Sequence, residues 1–355
     1  MLLRVVLLFT VASLLHGAPL PALEVLGNKL VWLQPQPYTV QLKGVTGTGA
    51  LFSCIANRSM FDGPIDAHYM AAMKTWSIDI IRVPLNEDCW LGIDGVSPSF
   101  SGAAYRSALV AYVSALVEYG FYVILDLHWT SGGLPRALQQ RPMPGGNSIT
   151  FWQGVAATFK SRPGHVLFDV FNEPYPDSNR DTTKAWRCWK HGGSSCPDLN
   201  YTAVGMDALL VTVRGTGATN IVMLGGVCYS NSLSQWLTYA PSDPLKKLAA
   251  SWHSYNFNSC NNPVCWEATV GPVTEHVPVI TGELGEDDCG GTYITPLMAW
   301  LDTKVTSYLA WLWAPWNCDK GPALITSYDG VCTQSYGCTY KAHIAASANR
   351  TSTSV

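Results

Sequence analysis

Apolar residues along this chain fall into short runs separated by longer stretches with helical spacing. The runs lie at 38–43, 79–85, 121–127, 166–171, 221–224, 249–252, 277–281 and 307–313. Between them, 66–74, 105–119, 148–159, 203–213 and 294–303 read as helices, with fainter helical signals at 233–237 and 267–276. Near-continuous apolar strands fit burial on both faces. Their alternation with helices implies parallel strands joined by right-handed crossovers. A closed (β/α)8 barrel, of the α/β class, is the expected fold, with an open doubly wound sheet as the runner-up. The segment 177–200 is too polar and Trp-rich for a simple connection. It predicts an extended loop after the fourth strand, stapled by its own cysteines.

Length alone, at 355 residues, suggests about two domains, but eight alternating units absorb it into one. Hydrophobic residues make up 48% of the chain, which excludes a disordered protein. With 22 Lys+Arg against 25 Asp+Glu there is no basic excess for phosphates, so no nucleic-acid partner is expected. Residues 1–18 read as a signal peptide: Arg4 supplies the positive start, 5–15 the apolar stretch, and Gly17 and Ala18 the small residues near the cut. That stretch is too short to span a bilayer, and no later one reaches spanning length. The expectation is a secreted, extracellular monomer without a stable membrane anchor, with one domain over 19–345 and a Ser/Thr-rich tail over 346–355.

All 11 cysteines lie beyond residue 18, which fits an oxidising compartment. Spacing suggests local pairs Cys188–Cys196, Cys260–Cys265 and Cys332–Cys338. Cys54–Cys89 and Cys289–Cys318 then join separate loops, and Cys228 is left over. Sequons at Asn57, Asn200 and Asn349 are candidate glycosylation sites.

In such a barrel the chemistry sits where strands end at their C-termini. The second run carries Arg82 and Asn86, the third Asp126 and His128, the fourth Asn172 and Glu173. The sixth ends in His253 and Tyr255, the seventh in Glu283, and the eighth in Trp311 and Trp313. A lone Glu at a strand end reads equally well as a solvated loop residue. Two of them, Glu173 and Glu283, converging with His, Tyr and Trp, suit glycoside hydrolysis, which needs one carboxyl to protonate the leaving oxygen and one to attack or stabilise the anomeric carbon. Arg82 lies inside an apolar run, so its charge needs a partner: a catalytic carboxylate or a structural ion pair. His128 and His253 read as core residues, metal ligands, or hydrogen-bonding neighbours of the carboxylates. No H-E-x-x-H spacing occurs, which favours the last and predicts no metal. Gly44, Gly47 and Gly49 resemble the start of a dinucleotide fingerprint, but Phe52 stands where the third glycine belongs. Neither a phosphate-loop motif nor a G-x-S-x-G elbow is present, so no cofactor is expected.

The segments IRVPL (81–85), LDLHW (125–129), FNEP (171–174), WHSY (252–255), TGELG (281–285) and AWLW (310–313) appear in one order. GNKLVW (27–32) and QLKGV (41–45) precede them. This ordered set resembles glycoside hydrolase family 5, the cellulase-like clan of retaining glycosidases. The resemblance implies Glu173 as general acid/base and Glu283 as nucleophile, with Arg82 and Tyr255 holding Glu283 ionised. It implies Asn172 on the sugar 2-hydroxyl, His128 and His253 along the same subsite, and Trp311 as its platform. Trp313 is an alternative platform, because W-x-W places both rings on one strand face. Retention predicts carboxyl groups about 5–5.5 Å apart. The implied partner is a polysaccharide or oligosaccharide: a β-linked glucan cut internally, with mannan, xyloglucan, β-1,3-glucan or glycolipid as alternatives on the same fold. A catalytically silent carbohydrate-binding protein is disfavoured by the intact glutamate pair, and an esterase or amidase by the missing motifs. Trp90, Trp129, Trp186, Trp189, Trp252, Trp266 and Trp316 lie near strand ends, and packing is expected to claim roughly half of them.

Overall fold

The computed structural model describes residues 20–33, 36–316 and 318–348. Eight parallel strands close into a barrel, which excludes the open sheet. They are β1 (Lys43–Thr46), β2 (Ile80–Asn86), β3 (Tyr122–Trp129), β4 (Val166–Asp169), β5 (Val222–Gly225), β6 (Leu248–Tyr255), β7 (Val279–Gly285) and β8 (Ser307–Ala310). Helices α1 (Ala67–Lys74), α2 (Gly102–Glu118), α3 (Asn147–Phe159), α4 (Met206–Gly215), α5 (Trp236–Tyr239), α6 (Pro263–Thr269), α7 (Gly271–Thr274), α8 (Ile294–Lys304) and α9 (Tyr336–Ala348) surround it. Local chemistry starts several of them. The Asp66 side chain accepts from the Tyr69 N–H at the start of α1, and Asn262 caps α6 ahead of Pro263. On α2, Tyr105, Leu109, Tyr112, Val113 and Leu116 recur every three or four residues and are buried.

Two of the sequence expectations need correction. The run 38–43 is not one strand. Tyr38–Thr39 pairs antiparallel with Lys29–Trp32, and Leu23–Leu26 completes a three-stranded sheet. The barrel begins at Lys43. The run looks continuous because Val40 and Leu42 cover the barrel floor together with Leu23 and Leu30. The run 307–313 leaves the sheet at Ala310, where its pairing with β1 and β7 ends.

Side-chain alternation then builds the interior in layers. Ile80, Tyr122, Leu167, Ala249, Ile280 and Leu309 share one floor cluster. Their odd neighbours, such as Ile81, Val83, Val123 and Leu125, pack outward under the helices. Counting on by twos along the inner face brings up Arg82 on β2, Asp126 and His128 on β3, Asp169 on β4, and Ser251, His253 and Tyr255 on β6. An apolar floor thus gives way to a polar layer at the C-terminal end.

The five expected disulfides form, and Cys228 remains a free, half-buried thiol. In the loop after β4 the Cys188–Cys196 bridge fastens helix Thr183–His191, whose Trp186 and Trp189 pack edge to face in the core. Trp90, Trp252 and Trp266 are buried too, while Trp129 and Trp316 are half-exposed. Among the described residues no helix is long and apolar enough to cross a membrane. The expected signal peptide and Asn349 lie outside the described residues. Asn57 and Asn200 are exposed.

Candidate active site

Arg82 stands at the centre of the polar layer with its side chain wholly buried. Its Nη1 donates to Glu283 Oε1 at 2.6 Å and its Nη2 to Asn172 Oδ1 at 2.7 Å. Asp126 Oδ1 lies 3.0 Å from Nη2, and Asp169 Oδ2 lies 3.2 Å from both Nε and Nη2. Burial works against the guanidinium charge, but the surrounding carboxylates outweigh it and raise its pKa. Burial in turn pushes the two aspartates up, Asp126 to about 7 and Asp169 to about 6, with Arg82 opposing in both. Arg82 thus has three carboxylate partners, Asp126, Asp169 and Glu283, where its place in an apolar run required only one. Asp169 was missed, although a lone charge within an apolar run is the same signal that singled out Arg82.

The two glutamates meet different surroundings. Glu283 has both oxygens engaged, one by Arg82 and the other by Tyr255 OH at 2.6 Å. Burial and the neighbouring carboxylates keep Tyr255 protonated, so it donates. Glu173 Oε1 lies 3.0 Å from His253 Nδ1, and burial raises its pKa to about 7. One carboxylate oxygen of each glutamate and a ring nitrogen of His253 all lie within 4.8 Å of one another. Such a trio is compact enough for a divalent ion, but Arg82 already places a positive charge on Glu283, so the set is better suited to holding and moving a proton. Burial lowers both His128 and His253 to about 4, leaving them neutral near pH 7.

Backbone geometry aims these groups. Glu173 has φ +49°, a left-handed conformation that costs a non-glycine residue about 1–3 kcal/mol and clusters at functional sites. On β7 the register with β6 slips by one residue, so that Trp252 pairs with Thr281 but His253 with Glu283. This bulge at Gly282 turns Glu283 onto the inner face. A Cβ on Gly282 would sit 2.9 Å from both His253 Nε2 and Ser251 Oγ, which explains the glycine.

His128 Nδ1 lies 2.6 Å from Asp126 Oδ2, and its ring stacks on Trp311 at 5.6 Å with planes 15° apart. Arg82, His128, Asn172, Glu173, His253, Tyr255, Glu283 and Trp311 are therefore brought together. Trp313 is not. It is 1% exposed and packs edge to face against Trp76 at 4.8 Å, in the core behind the cleft. The W-x-W argument fails because the strand has already ended at Ala310. Asn86 is structural as well, capping helix Glu87–Leu91. Gln140, in the loop after β3, had no sequence signal, yet it hydrogen-bonds the Asn172 side chain and backbone.

Comparison with known proteins agrees with this architecture. Endoglucanase A of Ruminococcus albus is 27% identical over 154 residues, which are 42% of this chain and 38% of that protein. The chain thus spans well under half the length of that relative. A beta-glucanase from Saccharophagus degradans superposes with a TM-score of 0.70 at 20% identity, covering 92% of this chain and 93% of that one, and it has also been solved with cellotetraose. The catalytic domain of a mannanase from Streptomyces sp. SirexAA-E gives 0.63 at 16% identity, over 93% and 92% of the two chains. At these identities the likeness shows the fold. The profile of the cellulase family (glycosyl hydrolase family 5) matches residues 37–319, so the chain belongs to that family of glycosyl hydrolases.

Proposed function

We propose that this protein is a secreted, retaining β-glycanase acting within β-linked glucan chains, with Glu283 as nucleophile and Glu173 as acid/base. The observation that carries the reading is the pair of carboxylates within 4.8 Å of one another in opposed environments. Arg82 and Tyr255 each donate to one oxygen of Glu283, and burial stabilises the protonated form of Glu173. In the first step Glu283 attacks the anomeric carbon, the bond to the leaving oxygen breaks, and that oxygen takes the Glu173 proton. In the second, Glu173 removes a proton from water, the new hydroxyl bonds to the anomeric carbon, and Glu283 departs. Asn172 faces the sugar 2-hydroxyl, His128 and His253 line the same subsite, and the partly exposed Trp311 ring carries the sugar face.

The beta-glucanase and endoglucanase relatives support a glucan substrate, and the mannanase relative makes mannan the competitor to test. Five disulfides on one chain support export. Residues 1–18 are then removed as the signal, 19–345 form one monomeric catalytic domain followed by the Ser/Thr-rich tail, and Asn57, Asn200 and Asn349 are available for glycosylation.

The test is Glu283→Ala measured on an activated aryl glycoside. Its turnover should collapse, and added azide should restore product as the inverted glycosyl azide. Wild-type turnover in that variant would sink the assignment. Reducing-sugar release from cellulose, mixed-linkage glucan and mannan assigns the substrate.

A further inference from the structure

The segment between β3 and α3, residues 130–146, reaches across the end of β4, and we propose that its Gln140 is the positioning residue for the acid/base half of the site. The proposal rests on the reading of Glu173 as acid/base. Gln140 Nε2 donates to the backbone carbonyl of Asn172 and to that of Glu173 at 3.3 Å. Its Oε1 accepts from Asn172 Nδ2 at 2.7 Å. Arg82 already holds Asn172 Oδ1, so the amide is gripped at both ends. Its orientation is then fixed, and one Nδ2 hydrogen stays free for a sugar hydroxyl.

The same glutamine secures the backbone where it is least comfortable. Glu173 sits at φ +49°, and a residue with a Cβ leaves that region unless its surroundings hold it there. Relaxation to negative φ would swing the carboxyl away from His253. Gln140 braces the two carbonyls flanking this residue, and it touches neither catalytic carboxyl.

The loop carrying Gln140 is itself tied down on both sides. Asn86 Nδ2 donates to the Ala137 carbonyl at 2.8 Å, and the Ala137 N–H donates to Asp88 Oδ2 at 2.7 Å. Beyond Gln140, the Tyr175 N–H donates to the Pro142 carbonyl at 3.0 Å, and Tyr175 OH donates to the carbonyl of Gln140 at 3.2 Å. The brace therefore runs from the end of β2, through the β3 loop, to the end of β4. A side chain that both donates and accepts is needed at its tip, which a glutamine supplies and a glutamate or leucine does not.

The test compares Gln140→Ala and Gln140→Glu with wild type and Glu173→Ala, on aryl glycosides of graded leaving-group acidity. A displaced acid matters only when the leaving group needs its proton. Gln140→Ala also releases Asn172, so kcat/KM should fall on every substrate, and it should fall about 10- to 100-fold further on the least acidic leaving group than on the most acidic, part of what acid–base catalysis supplies. Gln140→Glu keeps the acceptor for Asn172, loses the donor, and adds a negative charge near Glu173. It should show the same graded loss, with the alkaline limb of its pH profile moved upward. An equal loss across the series, or none, overturns the proposal. Should Gln140→Ala fail to fold, Gln140→Glu alone decides it. If Glu173→Ala shows no dependence on the leaving group, the acid/base reading has failed instead.

Discussion

Glu173 and Glu283 carry the same side chain, and their neighbours separate them. Glu283 receives two short hydrogen bonds from a guanidinium and a phenol, whereas Glu173, half-buried, faces a neutral imidazole. Glu173 is protonated below its raised value of about 7 and loses the proton above it. Activity that needs this proton should therefore decline on the alkaline side with a midpoint near that value. A kcat/KM profile flat to well above neutrality would contradict it. The two tryptophans of AWLW make a second contrast. Trp311→Ala should raise KM and leave the melting temperature close to wild type, because the ring is partly exposed beside His128. Trp313→Ala should cost about 3–5 kcal/mol, because it empties a fully packed position against Trp76. Kinetics and thermal melts on the two variants check both. Sequence alone could not separate these residues, since two rings spaced by one residue look alike until the end of the strand is known.

At the scale of the element, most of the barrel was legible because burial on both faces leaves long apolar runs. The polar strand-end residues stood out against that background, which made Arg82, His128, Asn172, Glu173, His253, Tyr255 and Glu283 readable. The residue-level detail was less so. The division of 38–43 between floor sheet and barrel depends on pairing partners that lie far away in sequence. Gln140 gave no signal, because a polar residue in a polar loop has no pattern to break. Gly282 looked like an ordinary member of TGELG, yet the bulge it permits is what aims Glu283. Gly282→Ala should lower kcat by about tenfold or more, since a Cβ would push His253 and Ser251 off their positions. The accompanying change in melting temperature should be small if the strand stays paired. An active Gly282→Ala enzyme would show that the close approach is not needed.

Taken as a whole, the molecule separates scaffold from cleft. The floor is closed by an apolar cluster and a small sheet, while all five disulfides lie in segments that follow the C-terminal ends of barrel strands. Their expected contributions differ with the loop each closes. The bridge Cys54–Cys89 spans 35 residues and is worth about 4 kcal/mol in the chain-entropy model, against about 2 kcal/mol for the five-residue span of Cys260–Cys265. Replacing the first pair by alanine should lower the melting temperature clearly more than replacing the second, as read by calorimetry. The Arg82–Glu283 contact has a further consequence. It joins residues 201 positions apart, from the second strand and the seventh. Contacts of such separation are slow to form, because a long loop must close before they reward the chain. Regain of turnover after dilution from denaturant should therefore lag behind regain of helical signal, and would time the moment at which the ring of strands shuts.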